Sequence, residues 1–310
     1  MRFFIGPVTR RVVDAVCRQD PEVFGLIPSR RQVDYHGGYI GMTTKQFSDY
    51  VRKSGSHLIE RDHGGPQQGA GTHQVSLDFD ARLFDMVHVD PWKVAKDIES
   101  GALTTCRIIN SLAKRSTVRF EVGTEESIFR MTSSDLATLM GILSERLTPE
   151  VFARIEYLVV QSGVGLDLPN ARNVGRWRED IFDQLEVTRY YGVKSKEHNG
   201  DFLTGLEIRR RSECGIDAIN IAPALGMVES RVVLDAVDVV QRSRLEDACL
   251  NSIDRWSKWF DGYPGGDWLP VALHYVLADP EPVALVESIE GLGDEIDRAL
   301  DEQLRTLCSF

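Results

Sequence analysis

An aspartate and a histidine stand side by side in the segment 60–66, directly after a short and largely apolar run. If that run is a β-strand, Asp62 and His63 lie at its tip, where the following Gly64 and Gly65 allow a sharp turn. An imidazole can bind a metal ion, and a neighbouring carboxylate can transfer a proton. We therefore predict that His63 is a metal ligand and Asp62 an acid/base group. A hydrogen-bonded structural role is the alternative for His63 taken alone.

A second segment of the same character covers residues 196–201 and contains His198 and Asp201. Buried imidazoles and carboxylates are costly unless they are paired or bound to a metal. Two histidines at separate strand ends therefore favour a shared metal site, with His63 and His198 as ligands. Histidine and carboxylate ligands without cysteine suit Zn²⁺, Mn²⁺ or Co²⁺, and we expect zinc as the leading choice.

Acidic residues also mark the ends of the next two strand candidates. Asp90 lies two residues after His88, so both side chains could face the interior, although Asp90 could instead cap a helix that begins at Pro91. Glu121 alternates with apolar neighbours, which is compatible with an inward-facing carboxylate or with a salt bridge. Glu125 could face the site or occupy the first turn of a helix.

Strand and helix patterns alternate through about residue 240, at intervals of about 30 residues. The eight strand candidates are 3–8, 24–28, 57–62, 86–90, 118–123, 157–161, 193–198 and 218–222. This repeat predicts an α/β fold, a (β/α)8 TIM barrel, whose C-terminal strand ends form the active-site face. Between residues 63 and 84 glycines crowd the chain, so the third βα unit is expected to be shortened, with only a short helix.

The chain changes character after residue 240, where an aromatic cluster at 256–268 is followed by one long amphipathic helix through 283–304. We therefore predict a barrel domain over residues 1–240 and a C-terminal helical extension over residues 241–310 that packs on the barrel. The absence of linker composition between the two parts supports one domain with an extension.

Composition restricts the classes of partner. The net charge of −11 argues against nucleic acid or an anionic membrane surface as the main partner. Five cysteines, an odd number without a CxxC spacing, favour a reducing cytoplasm over a disulfide framework. Neither a signal peptide nor a run of about 18 apolar residues that could span a membrane is recognisable.

Two glycine-containing loops could bring backbone close to a ligand. The loop after the second strand holds His36 and Gly38, and a histidine beside glycines could contact substrate. The loop at 222–226 follows the eighth strand and includes Ala224; in barrels this is a common phosphate position, because free amides and the helix dipole point at the anion. A plain structural turn is the alternative for each loop.

Several segments in a fixed order carry a family resemblance. They are 32–33, 37–43, 62–66, 88–90, 123–125, 159–163, 196–202 and 222–225. On these segments the chain resembles the non-catalytic, Z-type subunit family of class II tagatose-bisphosphate aldolases, which includes ketose and ketose-phosphate 4-epimerases. The strand around Glu121 also resembles that of the catalytic class II aldolases, where a glutamate lies near the metal.

The resemblance implies ketose chemistry and assigns roles to residues in the matching segments. His63 and His198 correspond to metal ligands, and Asp90 or Glu125 completes the site. Asp62 is the acid/base group, and Glu121 and Glu125 are the further candidates for the catalytic role. The residues expected to bind substrate are Gln32, His36, Gly38, Gln161, Lys196, Asp201 and Ala224.

Two functions of different class remain open from the sequence. The first is a divalent-metal-dependent enzyme that acts on a ketose or ketose phosphate by retro-aldol or epimerisation chemistry, as an aldolase or 4-epimerase. The second is a non-catalytic subunit that binds and stabilises a partner class II aldolase, with the aromatic segment 256–268 as its exposed contact. A homo-oligomer is compatible with either.

Overall fold

Eight parallel strands form the centre of the molecule in the computed structural model, which describes residues 1–69, 73–260 and 268–309. The strands are β1 (Arg2–Ile5), β2 (Phe24–Leu26), β3 (Glu60–Gly64), β4 (Met86–Val89), β5 (Arg119–Val122), β6 (Ile155–Val159), β7 (Lys194–Glu197) and β8 (Ala218–Ile221). Their hydrogen-bonded order is β2-β1-β8-β7-β6-β5-β4-β3. An isolated parallel bridge between Leu26 and Ile59 brings the two edge strands together. The predicted (β/α)8 barrel is therefore confirmed.

Helices follow the barrel strands on the outside. They are α1 (Arg10–Cys17), α2 (Thr44–Ser54), α3 (His73–Leu83), α4 (Ile98–Ala113), α5 (Ser133–Arg146), α6 (Ile181–Tyr191), α7 (Gly205–Cys214) and α8 (Pro223–Ala236). A four-residue helix, Pro149–Phe152, precedes β6, and a hairpin of Leu166–Asp167 and Arg172–Asn173 lies between β6 and α6. None of the helices in the described part of the chain is long and apolar enough to cross a membrane.

The third βα unit differs from its prediction. Helix α3 has 11 residues, as many as α2, so the expected shortening of the third helix is wrong. The glycines lie before His73, where α3 begins, and therefore do not interrupt the helix. Helix α2 starts as its sequence predicts, because Thr43 and Gln46 form a capping box.

The C-terminal part consists of short helices followed by a longer one. They are Val239–Leu250, Ile253–Trp256, the 3-10 turn Ser257–Trp259, Leu269–Leu273, Pro280–Ser288 and Leu292–Thr306. The single helix predicted through 283–304 is wrong, because Gly291 adopts a left-handed conformation with φ 76° and separates two helices. The last helix packs on α1 and α8. Its buried stripe consists of Leu292, Ile296, Leu300 and Leu304.

The first residue of the aromatic segment, Trp256, is more enclosed than the sequence suggested. Trp256 is fully buried, and its ring stacks on Trp268 with the centroids 5.0 Å apart. Residues 261–267, which belong to the same predicted contact, lie outside the described residues. Trp256 therefore packs within the protein rather than forming an exposed contact.

Candidate metal centre

The end of β3 departs from regular strand geometry at Asp62 and His63. The register between β3 and β4 shifts between Arg61 and Gly64, and His63 has a left-handed φ of 47°. Neighbours on a regular strand point to opposite faces, but this irregularity lets both side chains reach the same cavity. The sequence predicted a turn at the following glycines; the structure places the left-handed residue at His63 itself.

Three imidazoles from three strands converge at the centre of the C-terminal barrel face. The ring centroids of His63 and His88 lie 5.0 Å apart, those of His63 and His198 5.3 Å, and those of His88 and His198 4.9 Å. One candidate ligand atom from each histidine and one from Asp62 all lie within 4.8 Å of one another. The structure thus brings together His63, His198 and Asp62, which the sequence singled out, and adds His88 as a candidate ligand.

Fixed hydrogen bonds set the orientation of His88 and His198. Nε2 of His88 lies 3.0 Å from the carbonyl oxygen of Gly123, which can only accept, so this nitrogen carries the proton. Nδ1 of His88 is then the lone-pair nitrogen; it accepts a long 3.3 Å hydrogen bond from the backbone N–H of His63, which a metal ion bound at Nδ1 would replace. Nε2 of His198 lies 2.6 Å from Oε1 of Glu121. Hydrogen-bond partners of this kind orient the metal-binding histidines of proteins.

Asp90 holds the imidazole of His63. Its Oδ2 lies 2.5 Å from Nδ1 of His63 and also accepts a hydrogen bond from Gln68 at 2.9 Å. Its Oδ1 accepts the backbone N–H of Trp92 at 3.0 Å. Both oxygens of this fully buried carboxylate are therefore engaged. The structure places Asp90 behind His63 as an orienting group, where the sequence predicted a direct ligand.

Asp62 provides the test of whether a cation fits. Its Oδ1 is buried and has no hydrogen-bond partner among the described residues, which is costly for a carboxylate oxygen. This oxygen lies 3.5 Å from Nε2 of His63 and 4.0 Å from Nδ1 of His88. A divalent cation held by the three imidazoles would lie close to this oxygen and offset its negative charge, and a donor set of three imidazole nitrogens suits Zn²⁺.

The charge around the imidazoles also favours a cation. Burial lowers the pKa of His63, but the carboxylates of Asp62, Asp90 and Glu125 outweigh that effect and raise the pKa to about 10. These three carboxylates surround the imidazole of His63 with negative charge. A metal ion can replace the proton of this imidazole, since both are held by the same lone pair and the same carboxylates.

A buried ionic layer inside the barrel supports His198 from below. Nζ of Lys196 lies 2.7 Å from Oε2 of Glu121 and contacts Oε2 of Glu60, and all three side chains are fully buried. Lys196 lies on β7 two residues before His198, which directly follows the strand, and its side chain is buried in the barrel interior one layer lower. The two glutamates raise the pKa of Lys196 against the effect of burial and keep it charged.

This layer corrects two predicted roles. Glu121, expected to be catalytic, uses one oxygen to hold His198 and the other to bind Lys196, and it does not line the cavity. Lys196, expected to bind substrate, is enclosed between Glu60 and Glu121 with its ammonium group 3.7 Å from the ring centre of Phe4. Both residues act as supports of the site, because the barrel interior places them one layer beneath the strand tips.

A cavity of about 340 Å³ opens above the imidazoles. Glu125 lines it, with Oε2 3.9 Å from Nε2 of His63 and from Nδ1 of His198. Both carboxylate oxygens of Glu125 are held, by Ser127 at 2.5 Å and by Asn199 at 2.6 Å. Glu125 therefore lies at the site in a fixed orientation.

The residues expected to bind substrate separate into two groups. Gln32 and Asp201 line the cavity. His36 does not, because it is exposed and its ring stacks on that of Tyr35 at 4.6 Å. Gln161 is buried, and its amide nitrogen donates 2.9 Å hydrogen bonds to two carbonyl oxygens away from the cavity.

Two further predicted substrate contacts have structural roles. Gly38 is required by its own loop, since a Cβ there would overlap the carbonyl group of Gln32, and it does not line the cavity. The backbone N–H of Ala224, expected to bind phosphate, donates a 2.9 Å hydrogen bond to Oδ1 of Asp201. The same oxygen accepts the N–H of Ala222 at 3.0 Å, so these two amides are already bound.

Comparison with known proteins identifies solved structures that share the fold of this chain. No protein-family model and no curated protein matches the chain. A solved structure described as a probable tagatose 6 phosphate kinase, from Sinorhizobium meliloti 1021, is similar with a TM-score of 0.77 and 16% identity, over 99% of this chain and 98% of that one.

Two further solved structures are similar over 99% of this chain. A fructuronate-tagaturonate epimerase from Cohnella laeviribosi has a TM-score of 0.58 and 11% identity, with 78% of its chain covered. A fructose-bisphosphate aldolase from Campylobacter jejuni has a TM-score of 0.55 and 12% identity, with 90% covered. At these identities the likeness shows a shared fold, the (β/α)8 barrel.

Replacing His88 tests the three-imidazole arrangement. We expect His88→Ala to weaken zinc binding by more than about 100-fold, beyond the loss of about 10–100-fold that is usual when a residue only orients a ligand. The measurement is the dissociation constant from competition with a chromophoric chelator. His36→Ala, which removes an exposed imidazole outside the cavity, is the matched control and should bind zinc as the unaltered protein does. Equal affinities of the two variants would contradict the assignment of His88.

Replacing Asp90 distinguishes an orienting carboxylate from a ligand. Asp90→Asn keeps the size of the side chain but removes the charge that holds Nδ1 of His63, so we expect zinc affinity to fall by about 10–100-fold. Asp49→Asn, an exposed position on α2, is the control. An affinity unchanged by Asp90→Asn would contradict the orienting role, and a loss as large as that of His88→Ala would make Asp90 a ligand.

Proposed function

We propose that this protein is a divalent-metal-dependent carbohydrate enzyme that breaks and remakes a carbon–carbon bond of a ketose or ketose phosphate, as an aldolase or a 4-epimerase. One observation carries the proposal: three oriented imidazoles cluster with a carboxylate oxygen of Asp62 that has no hydrogen-bond partner among the described residues, and His63, His198 and Asp62 line a cavity large enough for a sugar. The shared fold with proteins described as aldolases and an epimerase supports it as an analogy.

The three imidazoles of His63, His88 and His198 would hold the metal, with zinc as the leading choice and manganese or cobalt as alternatives. When bound, a divalent ion supplies Lewis-acid polarisation of a ketose carbonyl and stabilises the negative charge that develops there. Catalytic zinc sites usually have three protein ligands, and His63, His88 and His198 would supply that number.

Asp62 is the residue that we assign to proton transfer. Its Oδ1 is free of hydrogen bonds to the described residues and belongs to the same compact group as the imidazoles, so a substrate hydroxyl beside the centre is within its reach. When this oxygen takes the proton of the C4 hydroxyl, the C4–O group becomes a carbonyl as the C3–C4 bond breaks. The electron pair of that bond passes to the C2 carbonyl.

Two outcomes follow from the same cleavage. Release of the aldehyde gives an aldolase, and its rotation followed by re-addition gives the 4-epimer, with Asp62 returning the proton. Deprotonation at carbon is a further route to an epimer. Glu125 is the second candidate for the proton carrier, but its oxygens are already bound by Ser127 and Asn199, which favours a positioning role.

The alternative of a non-catalytic subunit has less support from the site. A scaffold has no need for an unpaired buried carboxylate oxygen or for three imidazoles whose outer nitrogens are individually held. Trp256, the first residue of the expected partner contact, is buried within the protein. We therefore place the enzyme first and keep the partner-binding role as an alternative.

Exchanging Asp62 separates proton transfer from metal binding. We expect Asp62→Asn to retain zinc on the three imidazoles and to lose turnover by about 10²-fold or more, the scale typical of an acid/base residue. Metal content and turnover of a ketose panel are measured on the same preparations. His63→Ala should lose both, and Glu125→Gln is the comparison for the second carboxylate. If Asp62→Asn turned over at the unaltered rate while Glu125→Gln did not, the proton carrier would be Glu125.

Metal removal tests the dependence on a divalent ion. Dialysis against a chelator should abolish turnover, and addition of Zn²⁺, Mn²⁺ or Co²⁺ should restore it, because the proposed chemistry needs polarisation of the carbonyl. The rate is followed together with the metal content of each sample. Full turnover in a preparation shown to be free of metal would refute the proposal.

A further inference from the structure

The wall of the cavity carries three cationic side chains from three separate segments: Arg31 after β2, Lys93 after β4, and Lys258 from the C-terminal part. None of them lies within 4.0 Å of a carboxylate oxygen in residues 1–69, 73–260 and 268–309. Arg30, the neighbour in the same cavity wall, by contrast binds Asp34 at 3.0 Å and Asp80 at 2.8 Å. All three residues are solvent-exposed, and their common position around one cavity concentrates positive charge there in a chain with 47 acidic and 36 basic residues.

Neutral groups orient these cations without cancelling their charge. Nη2 of Arg31 donates to the backbone carbonyl oxygen of Arg255 at 2.5 Å. Nζ of Lys93 lies 3.5 Å from the carbonyl oxygen of Gln67. Nζ of Lys258 lies 4.5 Å from the ring centre of Trp259. Each side chain thus has a defined position and keeps its positive charge available.

The three charges also act on one another. Although Lys258 is solvent-exposed, desolvation of its ammonium group at the cavity wall, together with repulsion from Arg31 and Lys93, lowers its pKa to about 8, while the carboxylates of Glu125 and Asp62 oppose this effect. Lys258 therefore experiences both the other two cations and the carboxylates near the imidazoles. An anion bound between the cations would relieve the repulsion.

The position that barrels commonly use for an anion is already filled by the protein. The N-terminus of α8 directs the backbone N–H groups of Ala222 and Ala224 at Oδ1 of Asp201, a buried carboxylate. A substrate anion placed there would displace or repel that carboxylate. The loop after β8 is thereby excluded, and the cations of the cavity wall offer the better place for negative charge.

We propose that the substrate carries an anionic group, a phosphate or a carboxylate, and that Arg31, Lys93 and Lys258 bind this group while the sugar extends towards the imidazoles. This inference rests on the proposed function for the identity of the sugar but not for the binding of the anion. Two lysines and an arginine offer charge-assisted hydrogen bonds that both anions accept. A neutral ketose makes none of these contacts.

The test is the equilibrium binding of three matched probes: D-fructose, D-fructose 6-phosphate and the 6-carboxylate of D-fructose. Calorimetry is performed in an Asp62→Asn background, so that no probe is consumed. We expect at least one anionic probe to bind about tenfold or more tightly than D-fructose. Which anion gains more identifies phosphate or carboxylate as the natural group.

Lys258→Met should remove most of that preference and leave the affinity for D-fructose unchanged, whereas Lys258→Arg, which keeps the charge, should retain it. Lys93→Met is a second variant with the same expected direction. Lys114→Met, an exposed position at the end of α4 and away from the cavity, is the matched control. Equal binding of all three probes, or a preference that survives both lysine substitutions, would overturn the proposal.

The two proposals fail in different ways. Lysine-dependent binding of an anionic probe in a protein that turns over no ketose would refute the proposed function and leave the anion site standing. Turnover of neutral and anionic ketoses at the same rate, unchanged by Lys258→Met, would refute the anion site and leave the proposed function standing.

Discussion

One nitrogen of each imidazole is fixed by a hydrogen-bond partner, and metal binding at the centre of the barrel depends on that restraint. Asp90 holds His63, the carbonyl of Gly123 holds His88, and Glu121 holds His198. An imidazole free to rotate would lose entropy on binding a metal, and its tautomer would not be defined. With these partners in place, the opposite nitrogens converge before any ligand arrives. The roles proposed for Asp62 and for the cavity depend on this clustering of the imidazole nitrogens.

The ionic layer of Glu60, Lys196 and Glu121 extends the same restraint into the barrel. Buried ion pairs contribute little net stability, because desolvation offsets their attraction, yet removal of one partner costs about 3–5 kcal/mol. An apolar layer would fill the same space without that risk. We therefore interpret this layer as a device for positioning Glu121, and through it His198, rather than as a source of stability.

The amino-acid pattern was sufficient for the elements and for part of the site. Most of the barrel strands appear as short apolar runs because they are buried on both faces, and the predicted ranges overlap all eight strands, including β3 and β7, which are polar. That Asp62, His63 and His198 lie together could be predicted because each falls at a strand end. His88 was not identified as a ligand, since a histidine between two valines on a strand is equally compatible with a structural role.

The sequence could not show how deep in the barrel a side chain lies or which partner it contacts, and several predicted roles depend on both. Glu121 and Lys196 face the interior as their alternation suggests, but only the three-dimensional stagger of the strands places them beneath the cavity. Asp90 is one hydrogen bond further from the centre than predicted. The amides near Ala224 matched an anion-binding pattern, but a carboxylate from a distant loop occupies them. No local sequence signal reports such contacts.

The most direct measurement of the central claim is X-ray absorption spectroscopy of the purified protein after loading with one equivalent of zinc. We expect three imidazole nitrogens bound to the metal at about 2.0–2.1 Å, together with outer-shell scattering from the other atoms of the imidazole rings. His88→Ala should reduce that count to two. Oxygen ligands alone, or a spectrum of hydrated zinc that His88→Ala leaves unchanged, would contradict the three-imidazole centre on which the mechanism and the proposed function depend.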